Sequence, residues 1–148
     1  MNRRLSVRAM VIREGKLLCV RQRPNKLVED TGQKIWNLPG GGLDALESLT
    51  DCLKREMLEE TGIAPAVGNL MYIQQFQHND TEYLEFFFNV TNSEDYLDVD
   101  LSNSTHGEAE LLEIAYISPS ENVILPKFLT SEPIFEKADS PTTVITYL

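Results

Sequence analysis

Three glutamates crowd the last turns of a helix that the sequence predicts from about residue 48 to residue 61. Glu56, Glu59 and Glu60 stand at positions i, i+3 and i+4, which places their side chains on one side of an α-helix. Like charges at these spacings oppose helix formation by about 0.2–0.5 kcal/mol per pair. Several carboxylates together suit Mg²⁺ or Mn²⁺, which compensate the repulsion and keep positions open for water and phosphate. We therefore predict an open metal site on this helix.

Local signals mark both ends of the helix. Ser48 suits the N-cap position, because its hydroxyl can accept a hydrogen bond from a backbone N–H of the first turn. Leu49, Leu53 and Met57 recur every four residues and form an apolar stripe that can pack against a sheet. Gly62 stands where a residue in left-handed conformation commonly ends a helix. The face that carries the carboxylates is thereby defined.

Three consecutive glycines, Gly40, Gly41 and Gly42, precede the helix. Their backbone can approach a phosphate or a metal with no side chain in between. Taken alone, the segment is an ordinary turn that joins a strand to a helix. Followed by the carboxylate helix, it indicates a binding site.

Residues 41 to 63 resemble the Nudix box: Gly, five residues, Glu, seven residues, then Arg-Glu-hydrophobic-any-Glu-Glu-any-Gly-hydrophobic. The matching positions are Gly41, Glu47, Arg55, Glu56, Met57, Glu59, Glu60, Gly62 and Ile63. Two positions depart from the family pattern. Met57 replaces a branched aliphatic residue, and Leu46 stands where glycine is common, so we expect the loop there to bend differently. Neither departure touches a predicted ligand.

The resemblance implies hydrolysis of a nucleoside diphosphate linked to another group, by water that attacks phosphorus with the help of Mg²⁺, for which Mn²⁺ could substitute. It assigns these metal ligands: Glu47, Glu56, Glu59 and Glu60, with a backbone carbonyl from Gly41 or its neighbour. Arg55 would orient a helix carboxylate, and Glu59 lies within its i, i+4 reach. Glu56 is our first choice as general base. The predicted catalytic residues are thus Glu56, Arg55 and Glu59.

The family often supplies a further ligand or base from a later loop, some residues before an aromatic strand residue. Tyr116 takes the aromatic position here, and Glu110 lies six residues before it. Glu108 and Glu113 compete for the role, and a solvated acidic loop explains any of the three. We choose Glu110 as the predicted ligand. His78 and His106 lie in polar loops and are interpreted as surface residues.

Four residues are predicted to bind substrate. Arg21 and Arg23 could hold phosphates, although an Arg-Gln-Arg alternation also describes the solvent side of a strand. Trp36 could stack on a nucleobase, although a lone Trp beside a Pro-Gly turn more often packs in a core. Glu85 precedes three phenylalanines, where an unpaired carboxylate is costly to bury. It faces either a pocket or water.

The net negative charge of the chain limits the kinds of molecule that it can bind. The formal net charge is −10 and the pI is about 4.6, and no basic stripe is present, which argues against nucleic-acid binding. Bound cations would reverse the local field for a small-molecule nucleotide substrate. No apolar run approaches a membrane span and no signal-peptide core follows Met1, so we expect a cytoplasmic protein. A disulfide between Cys19 and Cys52 is left open.

The order of predicted elements gives an α+β fold, a mixed α/β sandwich, in a single domain over residues 1–148. The resemblance likewise implies a mixed sheet flanked by helices. Predicted strands are 5–12 and 16–23, 70–77 and 82–90, 111–117 and 142–148, with helical turns at 120–128 and 133–137. The last strand could be an edge that pairs in a homodimer.

The substrate is chosen by elimination. Family patterns for ADP-ribose, dinucleoside polyphosphates or coenzyme A are missing, which favours a nucleoside di- or triphosphate. ADP-ribose or another nucleotide sugar is the alternative. A catalytically inactive nucleotide sensor and an interaction protein that uses the acidic helix as a contact face are the other two hypotheses. The number of metal ions stays open.

Overall fold

The first strand, β1 (Asn2–Arg13), organises the fold because it is long enough to pair with three other strands. The computed structural model describes residues 1–24, 34–137 and 139–148. The other strands and helices of these residues are β2 (Lys16–Gln22), β3 (Ile35–Asn37), β4 (Gly40–Gly42), α1 (Leu49–Thr61), β5 (Val67–His78), β6 (Thr81–Val90), α2 (Gly107–Glu110), β7 (Leu111–Ile117), β8 (Val123–Leu125) and β9 (Thr143–Thr146). Short 3-10 turns lie at Ser93–Tyr96, Leu101–Asn103, Lys127–Thr130 and Ile134–Glu136.

The strands form one mixed sheet. Across the described residues the order is β8-β3-β2-β1-β6-β5-β9, with β4 paired to β1 and β7 paired to β2. β1 is antiparallel to β2 and β4 and parallel to β6. Ser6 of β1 lies opposite both Gly42 of β4 and Glu85 of β6. A mixed sheet with a few helices confirms the predicted α+β class.

Apolar side chains cover both faces of the sheet. On one face α1 buries Cys52, Leu53 and Met57 in a cluster that includes Val7 and Ala9 of β1. The other face carries a second buried cluster that is rich in aromatic rings: Trp36, Tyr72, Phe87 and Phe128. Because alternate residues of a strand point to opposite faces, β1 contributes to both clusters and holds α1 beside the glycine strand.

Helix α1 begins and ends where the sequence predicts. The Ser48 hydroxyl accepts a hydrogen bond from the backbone N–H of Asp51 at 3.1 Å. Gly62 takes a φ of 76°, and its N–H donates to the carbonyl of Leu58 at 2.9 Å. A side chain at Gly62 would also meet the carbonyl oxygen of Asn103 at 3.1 Å. Both the left-handed cap and the close packing therefore favour glycine at position 62, which is one of the residues that predicted the end of this helix.

Most other predicted elements are confirmed, and one is wrong. The segment 120–128 was predicted to be helical, but Val123–Leu125 is strand β8, parallel to β3, with Ile124 buried. The error arises because β3 lies far away in sequence, so no local pattern reveals the pairing. Cys19 and Cys52 are free thiols in different buried clusters, so no disulfide joins them.

The C-terminal strand β9 lies at the end of the sheet, parallel to β5, as the predicted final strand. Val144 of this strand is 62% exposed. The homodimer stays a prediction. None of the described helices is both long and apolar enough to cross a membrane.

The loop before α1 is strained at Leu46. This residue has a φ of 62°, in the left-handed region, and its side chain is fully exposed. The left-handed conformation costs a residue with a Cβ roughly 1–2 kcal/mol, and burial offers no compensation here. The loop thus makes the bend that glycine adopts without strain.

We expect Leu46→Gly to raise the free energy of unfolding by about 0.5–1 kcal/mol, because the relieved strain exceeds the added flexibility of the unfolded chain. Ala45→Gly is the matched control, since Ala45 has no positive φ. It should lower the free energy of unfolding by about 0.4–1 kcal/mol. Urea unfolding measures both, and a loss of stability in both variants would show that Leu46 is unstrained.

Candidate functional site

Arg55 is the hub of the carboxylate cluster. Its Nε and Nη2 donate to the two oxygens of Glu47 at 2.8 and 2.9 Å. Its Nη1 donates to Glu56 at 3.0 Å and to Glu59 at 3.3 Å, and Nη2 also donates to the carbonyl of Gly42 at 3.1 Å. The hydrogen bonds to Glu47 raise the pKa of Arg55, and those from Arg55 lower the pKa of Glu47 to about 2. Asp44 lies 3.4 Å from Nε as well, so one guanidinium faces four carboxylates.

Glu60 lies apart from this hub and is almost completely buried. It is 6% exposed, and burial raises its pKa to about 8, although the charge of Arg8 and a hydrogen bond from the Gly40 N–H act in the opposite direction. Within the described part of the chain, its Oε2 is buried without a hydrogen-bond partner. A buried carboxylate oxygen without a partner is costly unless a cation or donor reaches it. The Oε2 atom of Glu60 is thus left without a compensating hydrogen bond among the described residues.

Gly41 is required by the position of Glu56. A Cβ built on Gly41 would lie 2.4 Å from the carboxyl carbon of Glu56 and 2.5 and 2.6 Å from its two oxygens. Any side chain at this position would displace the carboxylate. Burial raises the pKa of Glu56, partly offset by its hydrogen bond from Arg55. The glycine strand and the helix therefore bring backbone and carboxylate into direct contact.

These groups fit a hard divalent cation in charge and in ligand chemistry. Every side-chain donor of the set is a carboxylate oxygen, which is what Mg²⁺ and Mn²⁺ prefer. The described residues contain no group of three or more His, Cys, Asp or Glu side chains already placed to hold a metal ion. Arg55 donates to three of the carboxylates, Glu47, Glu56 and Glu59, so a cation would have to compete with it for them.

Of the three loop glutamates, Glu110 is the one that reaches the helix carboxylates. Its charge contributes to the raised pKa of both Glu56 and Glu60, and it borders a cavity of about 330 Å³ together with Glu60. The Glu113 side chain instead pairs with Arg21 and Lys34 on the sheet. The backbone carbonyl of Glu108 accepts a hydrogen bond from Arg23.

His106 is a neighbour of the site that the sequence reasoning missed. Its Nδ1 lies 3.4 Å from Glu59 and 3.9 Å from Glu110, and its backbone N–H donates to the Glu59 carbonyl at 2.8 Å. Helix α2 is thereby attached to the end of α1. His106 was interpreted as a surface residue, and about half of its side chain is indeed exposed. Its contact with Glu59 was not predicted. Only the three-dimensional proximity of the loop to α1 could have revealed it.

The structure does not support one predicted substrate contact, that of Trp36, and it leaves that of Arg21 a prediction. Trp36 is 2% exposed and belongs to the aromatic core cluster, so its ring cannot stack on a nucleobase. Arg21 forms an ion pair with Glu113 and lies over the Trp36 ring, but its side chain is 27% exposed, so a contact with substrate stays a prediction. Arg23 donates to the Glu108 carbonyl at 2.8 Å and borders the cavity of Glu60 and Glu110.

Glu85 faces a pocket. It accepts hydrogen bonds from Ser6 at 3.0 Å, Arg8 at 3.4 Å and Gln74 at 3.1 Å, beside a cavity of about 630 Å³. The residues around this cavity are Arg8, Asn37, Leu38, Gln74, Phe76, Gln77, His78, Glu85, Leu125, Pro126, Lys127 and Tyr147. Arg8 also donates to the Leu38 carbonyl at 3.2 Å, next to the glycines. Sequence reasoning missed Arg8 and Gln74, although strand alternation places Arg8 on the face of Ser6.

Comparison with known proteins finds the same architecture and motif. A model of the NUDIX domain matches residues 2–137. The phosphatase NudJ of Escherichia coli K12 is 35% identical over 85 residues, which is 57% of this chain and 52% of that protein, so the match spans about half the length of this relative.

Solved structures of other proteins have a similar fold. The MutT protein from Methanosarcina mazei Go1 is 28% identical with a TM-score of 0.60, covering 81% of this chain and 80% of that one. A UDP-X diphosphatase superposes with a TM-score of 0.68 at 21% identity, covering 97% of this chain and 68% of that one, a likeness of fold alone.

We expect the pKa of Glu60 to make the metal-free protein less stable as the pH rises. The folded-state pKa of about 8 exceeds the ordinary value of 4.5. Protonation of Glu60 therefore stabilises the folded protein fully below about pH 4.5, and this stabilisation is lost as the pH rises through 8. Thermal unfolding with a chelator should therefore show a falling melting temperature between pH 6 and 9, with a flatter profile in Glu60→Gln.

The control for this measurement is Glu47→Gln. The pKa of Glu47 is lowered, to about 2, so its contribution is present above pH 4.5 and does not change between pH 6 and 9. This variant should keep the slope of the wild-type protein. If Glu60→Gln keeps that slope as well, Glu60 ionises normally and its burial carries no cost.

Proposed function

Because this chain belongs to the NUDIX family, we propose that it hydrolyses a phosphoanhydride bond of a nucleotide, with a divalent cation held by the carboxylates of α1. The observation that carries the proposal is the buried, unpartnered oxygen of Glu60 beside the Glu56–Gly41 contact. A chain selected for stability alone would replace such a carboxylate by an apolar residue. A cation at this position supplies what the buried oxygen lacks.

Glu56, Glu59 and Glu60 would hold the cation, with support from Glu47 and Glu110 and with a backbone carbonyl at Gly41. When bound, Mg²⁺ or Mn²⁺ supplies Lewis acidity to phosphoryl oxygens and lowers the pKa of attacking water. Arg55, which donates hydrogen bonds to Glu56 and Glu59, would help to keep these carboxylates in place. The proposed role of the fold is therefore to hold carboxylates that repel each other close enough together to bind one cation.

Glu56 is the proposed general base. Its carboxylate would accept a proton from the attacking water; in the metal-free protein burial raises the pKa of Glu56. The new P–O bond forms on the attacked phosphorus as the bond to the bridging oxygen breaks, and the leaving phosphate keeps the bonding electron pair. The hydrogen bond from Arg55 orients the base during this transfer.

The cavity beside Glu85 is the proposed nucleoside site. It combines Phe76, which can pack on a planar base, with the hydrogen-bonding groups of Gln74 and Glu85. It adjoins the glycine segment through the contact of Arg8 with Leu38. We favour a nucleoside di- or triphosphate as substrate. A nucleotide sugar such as ADP-ribose is the alternative, because the bond cleaved is the same.

We expect Glu56→Gln and Glu59→Gln to lose most turnover, with kcat lower by about 10²–10⁴-fold and the fold retained. Phosphate and pyrophosphate release should be measured with and without Mg²⁺ on nucleoside di- and triphosphates, ADP-ribose, other nucleotide sugars and dinucleoside polyphosphates. Glu108→Gln is the matched control and should behave as wild type. Wild-type rates in both Glu56→Gln and Glu59→Gln would refute the assignment, whereas tight nucleotide binding without turnover would identify a sensor.

Mg²⁺ should raise the melting temperature of the wild-type protein, because a ligand that binds only the folded state stabilises it by about 2.7 kcal/mol at one hundred times its Kd. Glu60→Gln should gain less from Mg²⁺. Sodium chloride at matched ionic strength controls for screening of the acidic chain. An equal effect of both salts would favour the hypothesis that the acidic helix is a contact face.

A further inference from the structure

Arg4 lies against the glycine strand at the edge of the carboxylate cluster. Strand β1 alternates, so Arg4 shares a face with Ser6, which lies opposite Gly42. A Cβ built on Gly42 would meet the Arg4 guanidinium, with Nη2 at 3.3 Å and Nε at 3.6 Å. The carbonyl of the same glycine accepts the hydrogen bond from Arg55. Arg4 and Arg55 therefore approach one peptide segment from two directions.

Arg4 borders an open cavity of about 740 Å³ that has walls of opposite charge. Arg4 contributes to one side, next to Arg3, whose guanidinium pairs with Glu82, and Glu47 and Glu56 contribute to the other. Glu56 is the proposed base and cation ligand. A phosphate in this cavity would thus lie between a guanidinium and the proposed cation.

The guanidinium of Arg4 differs from those of its neighbours in having no ion-pair partner in the described part of the chain. Arg3 pairs with Glu82 at 3.0 Å, and Arg8 pairs with Glu85 at 3.4 Å. Within the residues that the structure describes, Arg4 has neither an ion pair nor a hydrogen bond from its side chain. The chain has a net charge of −10, yet the N–H groups of this guanidinium bind no carboxylate of the described residues. They are therefore all available to donate to a ligand.

We propose that Arg4 binds a phosphate group of the substrate opposite the α1 carboxylates. A planar guanidinium offers two parallel N–H donors that match two phosphate oxygens, and such charge-assisted hydrogen bonds are stronger than neutral ones. Arg21, which was also predicted to hold a phosphate, already forms an ion pair with Glu113. This inference rests on the proposed function, since it concerns the same site.

The test compares Arg4→Ala, Arg4→Lys and Arg3→Ala. Arg3 has the same charge on the adjacent residue, but its side chain is 71% exposed and turned to Glu82. Binding of inorganic pyrophosphate in the presence of Mg²⁺ is measured by calorimetry, and kcat and KM are measured on the best substrate of the panel. Thermal unfolding verifies that the variants fold.

Arg4→Ala should weaken pyrophosphate binding about tenfold or more and raise KM more than it lowers kcat, which corresponds to the loss of a charge-assisted hydrogen bond. Arg4→Lys should recover part of the affinity. Arg3→Ala should stay within about twofold of wild type, as expected for a surface ion pair. Equal losses in Arg4→Ala and Arg3→Ala would overturn the proposal, because they would reflect net charge alone.

The two proposals fail in different ways. A wild-type protein that hydrolyses nothing, but whose pyrophosphate affinity falls in Arg4→Ala, would refute the hydrolase and keep the phosphate site. A wild-type protein that turns over nucleotides at the same KM as Arg4→Ala would refute the phosphate site alone. Absence of Mg²⁺-dependent pyrophosphate binding in the wild type would also overturn the role of Arg4.

Discussion

The structure depends on how one short helix tolerates several carboxylates on a single face. Arg55 makes this arrangement stable, since it donates to Glu47, Glu56 and Glu59 at once. Its bond to Glu47 also draws the preceding loop back onto the helix, which explains why the chain accepts a left-handed Leu46 there. A lysine could not do the same, because its single ammonium lacks the planar fork that reaches two partners in fixed directions.

The parts of the fold that the sequence predicts are those with local causes. The helix α1 is bounded by Ser48 and Gly62, whose hydrogen bonds are formed within a few residues. The first hairpin is likewise set by a turn in which Glu14 and Gly15 both have positive φ. Strands β3 and β8 escaped prediction because each is three residues long and is stabilised by a partner distant in sequence.

The residues of the candidate site also fall into those that the sequence predicts and those that depend on contacts distant in sequence. The helix carboxylates follow from a motif with fixed spacing, so their neighbourhood could be predicted residue by residue. The arginines could not, because their roles depend on which carboxylate the sheet places beside them. Arg21 finds Glu113 across the β2–β7 ladder, whereas Arg4 finds none in the described residues. Charge alone does not distinguish them.

Strand β1 finally explains how an acidic protein can be suited to an anionic ligand. Arg4 and Arg8 lie on one face of this strand, four residues apart, which corresponds to about 13 Å at the usual rise of a strand. Arg8 stands at the Glu85 cavity and Arg4 at the cavity of Glu56. The glycine strand lies alongside, where it keeps side chains out of the path between them. These two positive charges therefore lie along one line, where they would face an anionic ligand while a cation neutralises the carboxylates of α1.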